Sequence, residues 1–462
     1  MNKIELLLTD LIEREELLGL NNYKIAELPI WRLVRFYSRY KVLKTVDPRI
    51  TNNSLKRDKI RVFVNILKRL CSSCFSFFKF LCSKKNIENV IFAFPRLQNL
   101  NGILVDKFTD PVIDQSNLNE SCVVFQTYGS SIYKGIRWKK ERVINIDFLY
   151  AIAFILAYLY IPFHYLSSNH LVINKLFGKA KSTFLLTRND LLKWHVYYCR
   201  CYILSLIYKL IFSHIKTKRI FVVDRGVFYP AIIAAHKLNI VVYEIQHGVT
   251  HGNTVLYSGN YSEIIDPDYF LSFGEKWRGT QFSIPLDRII NIGWAYKDFI
   301  SNFLTKQDVN DNAILFISSP EITTKIINVI IELSIAYPQK EFHIRCHPQE
   351  MIPYDLNMSI SSIKNIYVTD NTIDSYIALS SYNYIVGENS TVLYEALSLG
   401  KNVARLSYNG FSPSGRDKTV YDGFFYLDSK GDFELYLNNT VNHNENDNIY
   451  SSFKANVVNE LI

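Results

Sequence analysis

The chain has 462 residues, which is too many for one compact core, so its length predicts two domains. Hydrophobic residues form 48% of it and charged residues 21%, a balance that excludes an intrinsically disordered protein. The formal net charge of +9 favours an anionic partner. No nucleic-acid-binding motif accompanies the charge, so we expect no nucleic-acid partner.

The seven cysteines follow no regular spacing, and in a chain of this size they favour a reduced, cytoplasmic compartment. Cys71 and Cys74 form a single CxxC pair, with no second pair at zinc spacing. We therefore interpret them as cysteines of an apolar helix, and we expect neither a metal nor another cofactor.

Residues 1–86 are predicted to form a helical, basic N-terminal region. The opening stretch MNKIELLLTDLIEREELLGL places acids among its leucines, which predicts an amphipathic helix instead of a secretory signal. Residues 56–85 hold nine Lys or Arg and one acid among Phe, Leu and Ile, a composition that suits an anionic membrane surface. The alternative is a solvated basic helix with one buried face.

Residues 148–166, FLYAIAFILAYLYIPFHYL, approach the ~20 apolar residues that a membrane span needs. Pro162 and His164 interrupt this stretch, and basic residues flank it on both sides, which gives no inside bias. We therefore predict a buried or interfacial helix.

Short apolar runs with strand character then alternate with helical stretches, which predicts an α/β protein with parallel sheets covered on both faces. The predicted strands of a first Rossmann-like domain (87–304) are 89–94, 121–126, 219–224 and 240–245. Those of a second (305–445) are 313–318, 342–346, 365–369, 383–387 and 402–407. The principal predicted helices are 187–215, 321–336, 373–380 and 391–399. Residues 446–462 are expected to form a C-terminal helix that crosses back to the first domain.

Polar clusters follow five of these strands, and ligands of open α/β sheets bind at the carboxyl edge of the strands. In the first domain the clusters contain Asp224, Arg225, Gln246, His247, Gly248 and His251. In the second domain they contain Ser318, Ser319, His347, Pro348, Glu388, Asn389, Ser390 and Thr391. Any one of them alone would be an ordinary structural residue, but their common position predicts a functional cleft between the domains.

The clusters of the second domain predict a phosphate site. Ser390 or Thr391 caps the helix that follows, whose free N–H groups and dipole attract an anion. His347, at a strand end fixed by Pro348, can donate a hydrogen bond to a phosphate oxygen. The chain has neither a GxGxxG motif nor a Walker lysine loop. Asp266 and Asp268 match a metal-binding DxD pattern, but they precede an apolar run, so we predict a turn there.

The motifs QHG, HP and ENSTVLYEALSLGKNV, spread over about residues 219–407, resemble those of GT-B glycosyltransferases. They are most similar to polysialyltransferases, Kdo transferases and the CDP-glycerol glycerophosphotransferases of teichoic acid synthesis. The resemblance implies two Rossmann-like domains facing a central cleft and a nucleotide-sugar donor bound without a metal. It places His347, Ser390 and Thr391 on the donor phosphate and Glu395 on the nucleotide ribose. Glu388 and Glu395 have six residues between them, whereas the retaining-enzyme pattern has seven.

The catalytic residue is expected in the first domain, where sugar transfer needs a base for the acceptor hydroxyl. His247 is the first candidate, because an imidazole side chain can take up a proton near neutral pH. Asp224 is the rival, either as the base or as the nucleophile of a double displacement, with helix capping as its structural alternative. Gln246, Gly248, His251 and Arg225 are predicted to support the site or to bind the acceptor.

The expected protein is a cytoplasmic transferase, peripheral on the inner face of the cytoplasmic membrane. It would move a CMP-activated acid sugar, such as Kdo or sialic acid, to a growing surface polysaccharide on a lipid carrier. One alternative is a phosphotransferase that uses a CDP-polyol donor. Another is a non-catalytic subunit of a polysaccharide assembly complex.

Overall fold

The computed structural model describes most of the chain, with short gaps. The described residues are 3–46, 59–83, 86–94, 97–127, 135–248, 257–279, 283–302, 309–319, 322–347, 352, 354–370, 373–413, 423–438 and 449–462.

Residues 3–46 and 59–83, the described part of the N-terminal region, form three α-helices and a short antiparallel strand pair. These elements are α1 (Lys3–Leu17), β1 (Lys24–Ile25), β2 (Leu28–Pro29), α2 (Ile30–Val46) and α3 (Lys59–Cys82). The predicted N-terminal helix is confirmed as α1, and α3 contains Cys71 and Cys74, as expected for cysteines of a helix. The predicted basic segment extends beyond α3 to residues 56–58, 84 and 85, which lie outside the described residues.

The next part of the chain alternates strands and helices. Its elements are β3 (Asn89–Phe92), β4 (Gln98–Leu100), β5 (Ile103–Val105), α4 (Asp110–Asp114), α5 (Leu118–Ser121), β6 (Cys122–Gln126), β7 (Ile136–Arg137), β8 (Val143–Asn145), α6 (Asp147–Leu166), α7 (Asn169–Ala180), α8 (Arg188–Ile215), β9 (Arg219–Val222), α9 (Arg225–His236), β10 (Val241–Ile245), β11 (Tyr269–Ser272), β12 (Ile289–Asn291) and α10 (Ala295–Ser301). Seven of these strands form one parallel sheet in the order β12-β11-β10-β9-β3-β6-β8.

The central strands of this sheet are apolar and almost fully buried, because helices cover both of its faces. Helices α2, α8 and α9 pack on one face, where Trp31 and Trp194 join the core. The N-terminal region therefore shares a hydrophobic core with the first domain.

A second parallel sheet follows residue 309. Its elements are β13 (Asn310–Ile317), α11 (Thr323–Ala336), β14 (Glu341–Arg345), α12 (Tyr354–Ser361), β15 (Ile366–Val368), α13 (Ser375–Ser380), β16 (Tyr382–Gly387), α14 (Thr391–Ser398), β17 (Asn402–Leu406), β18 (Phe425–Leu427), α15 (Asp432–Asn438) and α16 (Ala455–Glu460). The strand order is β15-β14-β13-β16-β17-β18, and all neighbouring strands are parallel.

Every strand predicted from the sequence is present, with ends shifted by at most a few residues. The strands that the sequence did not predict are short. In the two main sheets they are β8, β11, β12 and β18, each of three or four residues. Such strands are too short to show a period of their own, and they form because a neighbouring strand supplies the hydrogen bonds.

The C-terminal segment crosses back to the first domain, as predicted. The Trp294 N–H donates to the Ser451 carbonyl over 2.8 Å, and Val458 of α16 is fully buried in a core that both domains share. Two Rossmann-like domains joined in this way form the GT-B architecture, so the predicted fold class is confirmed. The predicted boundary at 304/305 lies outside the described residues, and the division into domains stays a prediction.

Two helices of the described residues, α6 and α8, are long and apolar enough to cross a membrane. In the apolar 18-residue stretch of α6, only 22% is buried in the protein, compared with 56% for the corresponding stretch of α8. Along the chain, α6 follows β8 and α8 precedes β9. Both helices therefore belong to the connection between two strands of the same sheet.

Docking of the C-terminal segment can be tested at Gly293, which has a φ of 75°. A Cβ atom there would lie 2.1 Å from the Ser452 carbonyl oxygen. We expect Gly293→Ala to lower the free energy of unfolding by about 1–3 kcal/mol, measured by urea denaturation. Gly178→Ala is the control, because a Cβ there meets nothing within 4 Å and helix α7 favours alanine. Equal stability of the two variants would show that the segment does not dock there.

Candidate functional site

The predicted site residues of the first domain follow two adjacent strands. Asp224 comes after β9, and Gln246, His247 and Gly248 come after β10. The strands are parallel, so these residues lie together at the carboxyl edge of the sheet. His251, predicted to support the site, lies outside the described residues.

Asp224 caps helix α9. Its Oδ1 accepts a hydrogen bond from the Gly226 N–H over 3.0 Å, and its φ of 90° is in the left-handed region that few residues other than glycine adopt. Such a conformation costs of order 1–3 kcal/mol and must be held by its surroundings. The structural alternative for Asp224 is thus observed, and its catalytic role stays a prediction.

Arg225 is fully buried and pairs with two carboxylates. Its Nε lies 2.6 Å from Glu244, its Nη1 lies 2.8 Å from Asp266, and its guanidinium stacks 4.8 Å from the ring centroid of Tyr257. Burial alone would lower the pKa of Arg225, but the two carboxylates outweigh it and raise the pKa. Arg225 is therefore a buried residue that stabilises the carboxyl edge of the sheet. It has no exposed surface that an acceptor could contact.

Asp266 and Asp268 of the DxD pattern lie in the turn before β11, as predicted. Asp266 is fully buried between Arg32 and Arg225, and Asp268 accepts a hydrogen bond from the Val242 N–H. Within the described residues, no group of three or more His, Cys, Asp or Glu side chains could hold a metal ion.

The loop after β10 is held by Gln246, which is fully buried. Its Nε2 donates to the Gly248 carbonyl and its Oε1 accepts from the Phe273 N–H, both over 2.8 Å. These two hydrogen bonds tie the backbone around His247 to Phe273, which directly follows β11. Gln246 thus anchors the loop that carries His247, and its part in the site stays a prediction.

His247 lies between aromatic side chains. Its ring stacks on Phe94 at 5.5 Å between centroids, and Phe108 approaches edge-on at 6.3 Å. The Tyr257 hydroxyl lies 3.5 Å from Nδ1 and 3.2 Å from the Glu244 carboxylate. Nδ1 of His247 therefore faces the Tyr257 hydroxyl.

The predicted donor-binding residues follow three adjacent strands of the second sheet. Ser318 and Ser319 come after β13, His347 comes after β14, and the cluster 388–391 comes after β16. Ser318 is buried, and its hydroxyl lies 3.4 Å from that of Thr323. His347 is half-buried, and Pro348 lies outside the described residues.

The cluster after β16 divides into anchored and exposed residues. Glu388 accepts a hydrogen bond from the Ser412 N–H, and Asn389 accepts one from buried Arg405. Ser390 caps α14 by accepting from the Val392 N–H over 3.3 Å, as the sequence predicted. Thr391 begins the helix and is exposed. The anchored pair fixes the loop, which presents the exposed hydroxyl at the edge.

Glu395 lies one turn further along α14 and is 3% exposed. Its Oε1 is 2.8 Å from the Lys107 ammonium of the first domain, and its Oε2 accepts a hydrogen bond from Ser375 over 2.9 Å. Burial would lower the pKa of Lys107, but the carboxylate outweighs it and raises the pKa. The ion pair joins the two domains, and the ribose contact of Glu395 stays a prediction.

Two further contacts bring the carboxyl edges of both sheets together. A Cβ atom on Gly248 would lie 3.6 Å from the methyl group of Thr391. The indole N–H of Trp294 donates to the hydroxyl of Tyr376 over 2.6 Å. The loop that carries His247 therefore lies beside the first turn of α14.

Sequence reasoning missed Lys107, Tyr257 and Arg405. Lys107 follows the three-residue strand β5 in the sequence ILVDK, so the strand-end argument would have found it if β5 had been recognised. Tyr257 and Arg405 take part only through contacts that form in the folded chain, and no local pattern marks them.

No protein-family model matches the sequence, and a search of curated proteins found no significant match. Among solved structures, UDP-GlcNAc 2-epimerase from Methanocaldococcus jannaschii has 13% identity and a TM-score of 0.49, with 81% of this chain and 99% of that chain covered. The Neisseria meningitidis enzyme bound to UDP-GlcNAc has 16% identity and a TM-score of 0.45, with 81% and 98% covered. The wall teichoic acid polymerase TagF has 10% identity and a TM-score of 0.41, with 88% and 97% covered. Similarity at this level defines neither a family nor an activity for this chain.

The ion pair between the domains can be tested by removing its cation. Lys107→Met leaves a buried, uncompensated Glu395, and we expect a loss of about 3–5 kcal/mol in the free energy of unfolding. The double variant Lys107→Met/Glu395→Gln should recover part of that loss, because it removes both charges. Urea denaturation measures both effects.

Arg14→Met is the matched control for Lys107→Met. Arg14 pairs with Asp10 on exposed α1, with side chains 54% and 46% exposed. Removal of such a surface pair should cost no more than about 0.5 kcal/mol. A loss as small as this in Lys107→Met would mean that the domains do not depend on the pair.

Proposed function

We propose that this protein is a nucleotide-sugar-dependent glycosyltransferase of bacterial surface polysaccharide synthesis. A CMP-activated acid sugar is the favoured donor, and the acceptor is a growing glycan on a lipid carrier. The observation that carries the proposal is the close approach of Gly248 and Thr391 across the two domains. This contact puts a candidate base beside a capped helix N-terminus, and the reaction needs both.

The donor half of the proposal uses the second domain. Its support is that three adjacent parallel strands end in Ser318, His347 and Ser390, all at one edge. Hydroxyl groups, an imidazole and the N-terminus of a helix are groups that hold a phosphate without a metal. In the GT-B enzymes that the motifs resemble, residues at corresponding positions hold the phosphate of a CMP or CDP donor.

The acceptor half uses His247 as general base. The acceptor hydroxyl oxygen forms a bond to the anomeric carbon of the sugar, and the bond from that carbon to the donor phosphate oxygen breaks. The hydroxyl proton passes to Nε2 of His247, and the nucleotide leaves with the electron pair. Tyr257 beside Nδ1 and Phe94 against the ring hold the imidazole in place, which a general base requires.

Asp224 is the rival catalytic residue. If it acted as a nucleophile, its carboxylate would bond to the anomeric carbon, release the nucleotide and later give the sugar to the acceptor. Its bond to the Gly226 N–H uses one of its two oxygens, and a carboxylate has further acceptor positions on the other.

We also propose that the enzyme works at the inner face of the cytoplasmic membrane. Its acceptor would be lipid-linked, and the basic segment that contains α3 suits an anionic surface.

Nucleotide binding tests the donor half. We expect CMP to raise the melting temperature, since a ligand that binds only the native state stabilises it. His347→Ala should weaken binding about 10–100-fold, the value of one hydrogen bond to a charged group. His343→Ala is the control, because His343 lies within β14 and contacts Glu341 and Tyr382. An unchanged affinity for CMP in folded His347→Ala would remove His347 from the site, and a response to UDP alone would contradict the CMP donor.

Turnover separates the two catalytic candidates. If His247 is the base, His247→Ala should lose about 10²–10⁴-fold in turnover and keep nucleotide binding. If Asp224 is a nucleophile, Asp224→Ala should abolish transfer, and protein incubated with donor alone should gain the mass of one sugar. Asp287→Ala is the control, since this exposed carboxylate precedes β12 at the opposite edge of the same sheet. Normal turnover in both site variants would show that the catalytic centre lies elsewhere.

A further inference from the structure

Helix α6 is apolar on every side, but the protein covers only a narrow part of it. Leu149, Ala153, Ala157 and His164 are buried, and their spacing follows one stripe of the helix. Nine large side chains outside this stripe are each at least 40% exposed: Ile152, Phe154, Ile155, Leu156, Tyr158, Leu159, Phe163, Tyr165 and Leu166. We call these nine side chains the α6 surface.

This surface differs from the outer face of an ordinary surface helix. Such a helix carries charged and polar residues opposite its buried stripe. The sequence from 148 to 166 contains no Asp, Glu, Lys or Arg. Scattered single apolar side chains need no explanation, but a contiguous apolar patch of this extent marks an interaction surface.

The helix is fixed along the first domain, so the α6 surface faces outward without α6 leaving the fold. His164 Nε2 lies 3.0 Å from His195 Nδ1 of α8, and His195 Nε2 lies 3.1 Å from the Asn174 side-chain oxygen of α7. The rings of Tyr160 and Tyr202 stack at 5.7 Å between centroids. A helix held in this way can enter a bilayer sideways, with its exposed face in the acyl boundary and its buried stripe on the protein.

Helices α3 and α8 lie beside the first turn of α6, where the α6 surface begins. Phe78 of α3 lies 6.1 Å from Phe148 between ring centroids, so the exposed Phe75 and Phe78 extend the apolar area, and exposed Lys79 follows them. Helix α3 contains five Lys or Arg and no acid. On α8, the exposed Lys209 lies next to exposed Leu210. Apolar side chains beside Lys and Arg match the acyl boundary and the anionic headgroups of a membrane.

The same charges argue against a second copy of this chain as the partner. A two-fold contact through the α6 surface would place α3 or α8 of one protomer near its own copy in the other. Like charges brought together in this way oppose association.

We propose that the α6 surface inserts into an anionic lipid leaflet and that α3 supplies the accompanying positive charge. The inference rests on the proposed function in one respect, because a lipid-linked acceptor explains why the enzyme would need to lie on a membrane. The sequence predicted attachment through the charge and the inserted aromatic side chains of residues 56–85, whereas the structure assigns the larger apolar surface to α6.

Flotation with lipid vesicles tests the proposal. Leu159 and Phe163 are 64% and 65% exposed, so Leu159→Gln/Phe163→Gln removes apolar surface without opening the core. We expect the parent protein to float with phosphatidylglycerol vesicles, and the double variant to bind them about tenfold more weakly. The control Ile335→Gln/Leu435→Gln changes two side chains that are 74% and 62% exposed on the second domain, and it should bind as the parent does.

The outcomes are distinguishable. Equal flotation of parent and Leu159→Gln/Phe163→Gln would overturn the proposal, as would a parent that does not bind phosphatidylglycerol vesicles. A parent that is dimeric by sedimentation velocity, becomes monomeric in the variant and binds no vesicles would assign the surface to a second copy. The single variants Leu159→Gln and Phe163→Gln are floated with the same vesicles. If each of them also binds more weakly than the parent, the loss in the double variant does not come from its misfolding. The CMP-induced rise in melting temperature is measured in parallel: if it is absent while flotation depends on α6, the proposed function fails and the membrane surface stands.

Discussion

The two parallel sheets meet through a buried ion pair, and the geometry of the candidate site depends on that contact. Lys107 and Glu395 come from different domains, and an unpaired charge in their place would cost several kcal/mol. The hydrogen bond from Trp294 to Tyr376 and the shared apolar core surround the pair. Any arrangement that separates the carboxyl edges would therefore expose this core and break the pair. That constraint keeps His247 beside the first turn of α14.

The ion pair also limits how a nucleotide could reach Glu395. Lys107 and Ser375 each contact a different oxygen of the carboxylate, which has about four acceptor positions in all. A ribose hydroxyl could therefore donate to Glu395 without displacing either partner. Because the side chain is only 3% exposed, such a donor has to enter between the two domains. The predicted ribose contact at Glu395 would therefore form at the place where the two domains meet.

The sequence predicted the long buried strands and the residues at their ends, because both leave a local pattern. The runs RIFVVD (219–224) and VVYEI (241–245) are examples, and each contains a strand at the expected place. It did not predict β5 or β11, whose few residues become strands only beside a neighbour. For the same reason it missed Lys107, which follows β5. The partner of Arg225 could not be predicted either, since Asp266 lies 41 residues away and the pairing depends on the fold.

The location of the basic residues decides what the net charge means. Arg32, Arg35 and Arg39 of α2 are almost fully buried and contact Asp266, the Ser258 carbonyl and Glu15. These cations stabilise the chain segment that follows Tyr257, and no external anion can reach them. Helix α3 has no acid in its sequence and lies against the start of α6. The positive charge of the N-terminal region thus includes a buried part on α2 that supports the site and a separate part on α3, beside the first turn of α6.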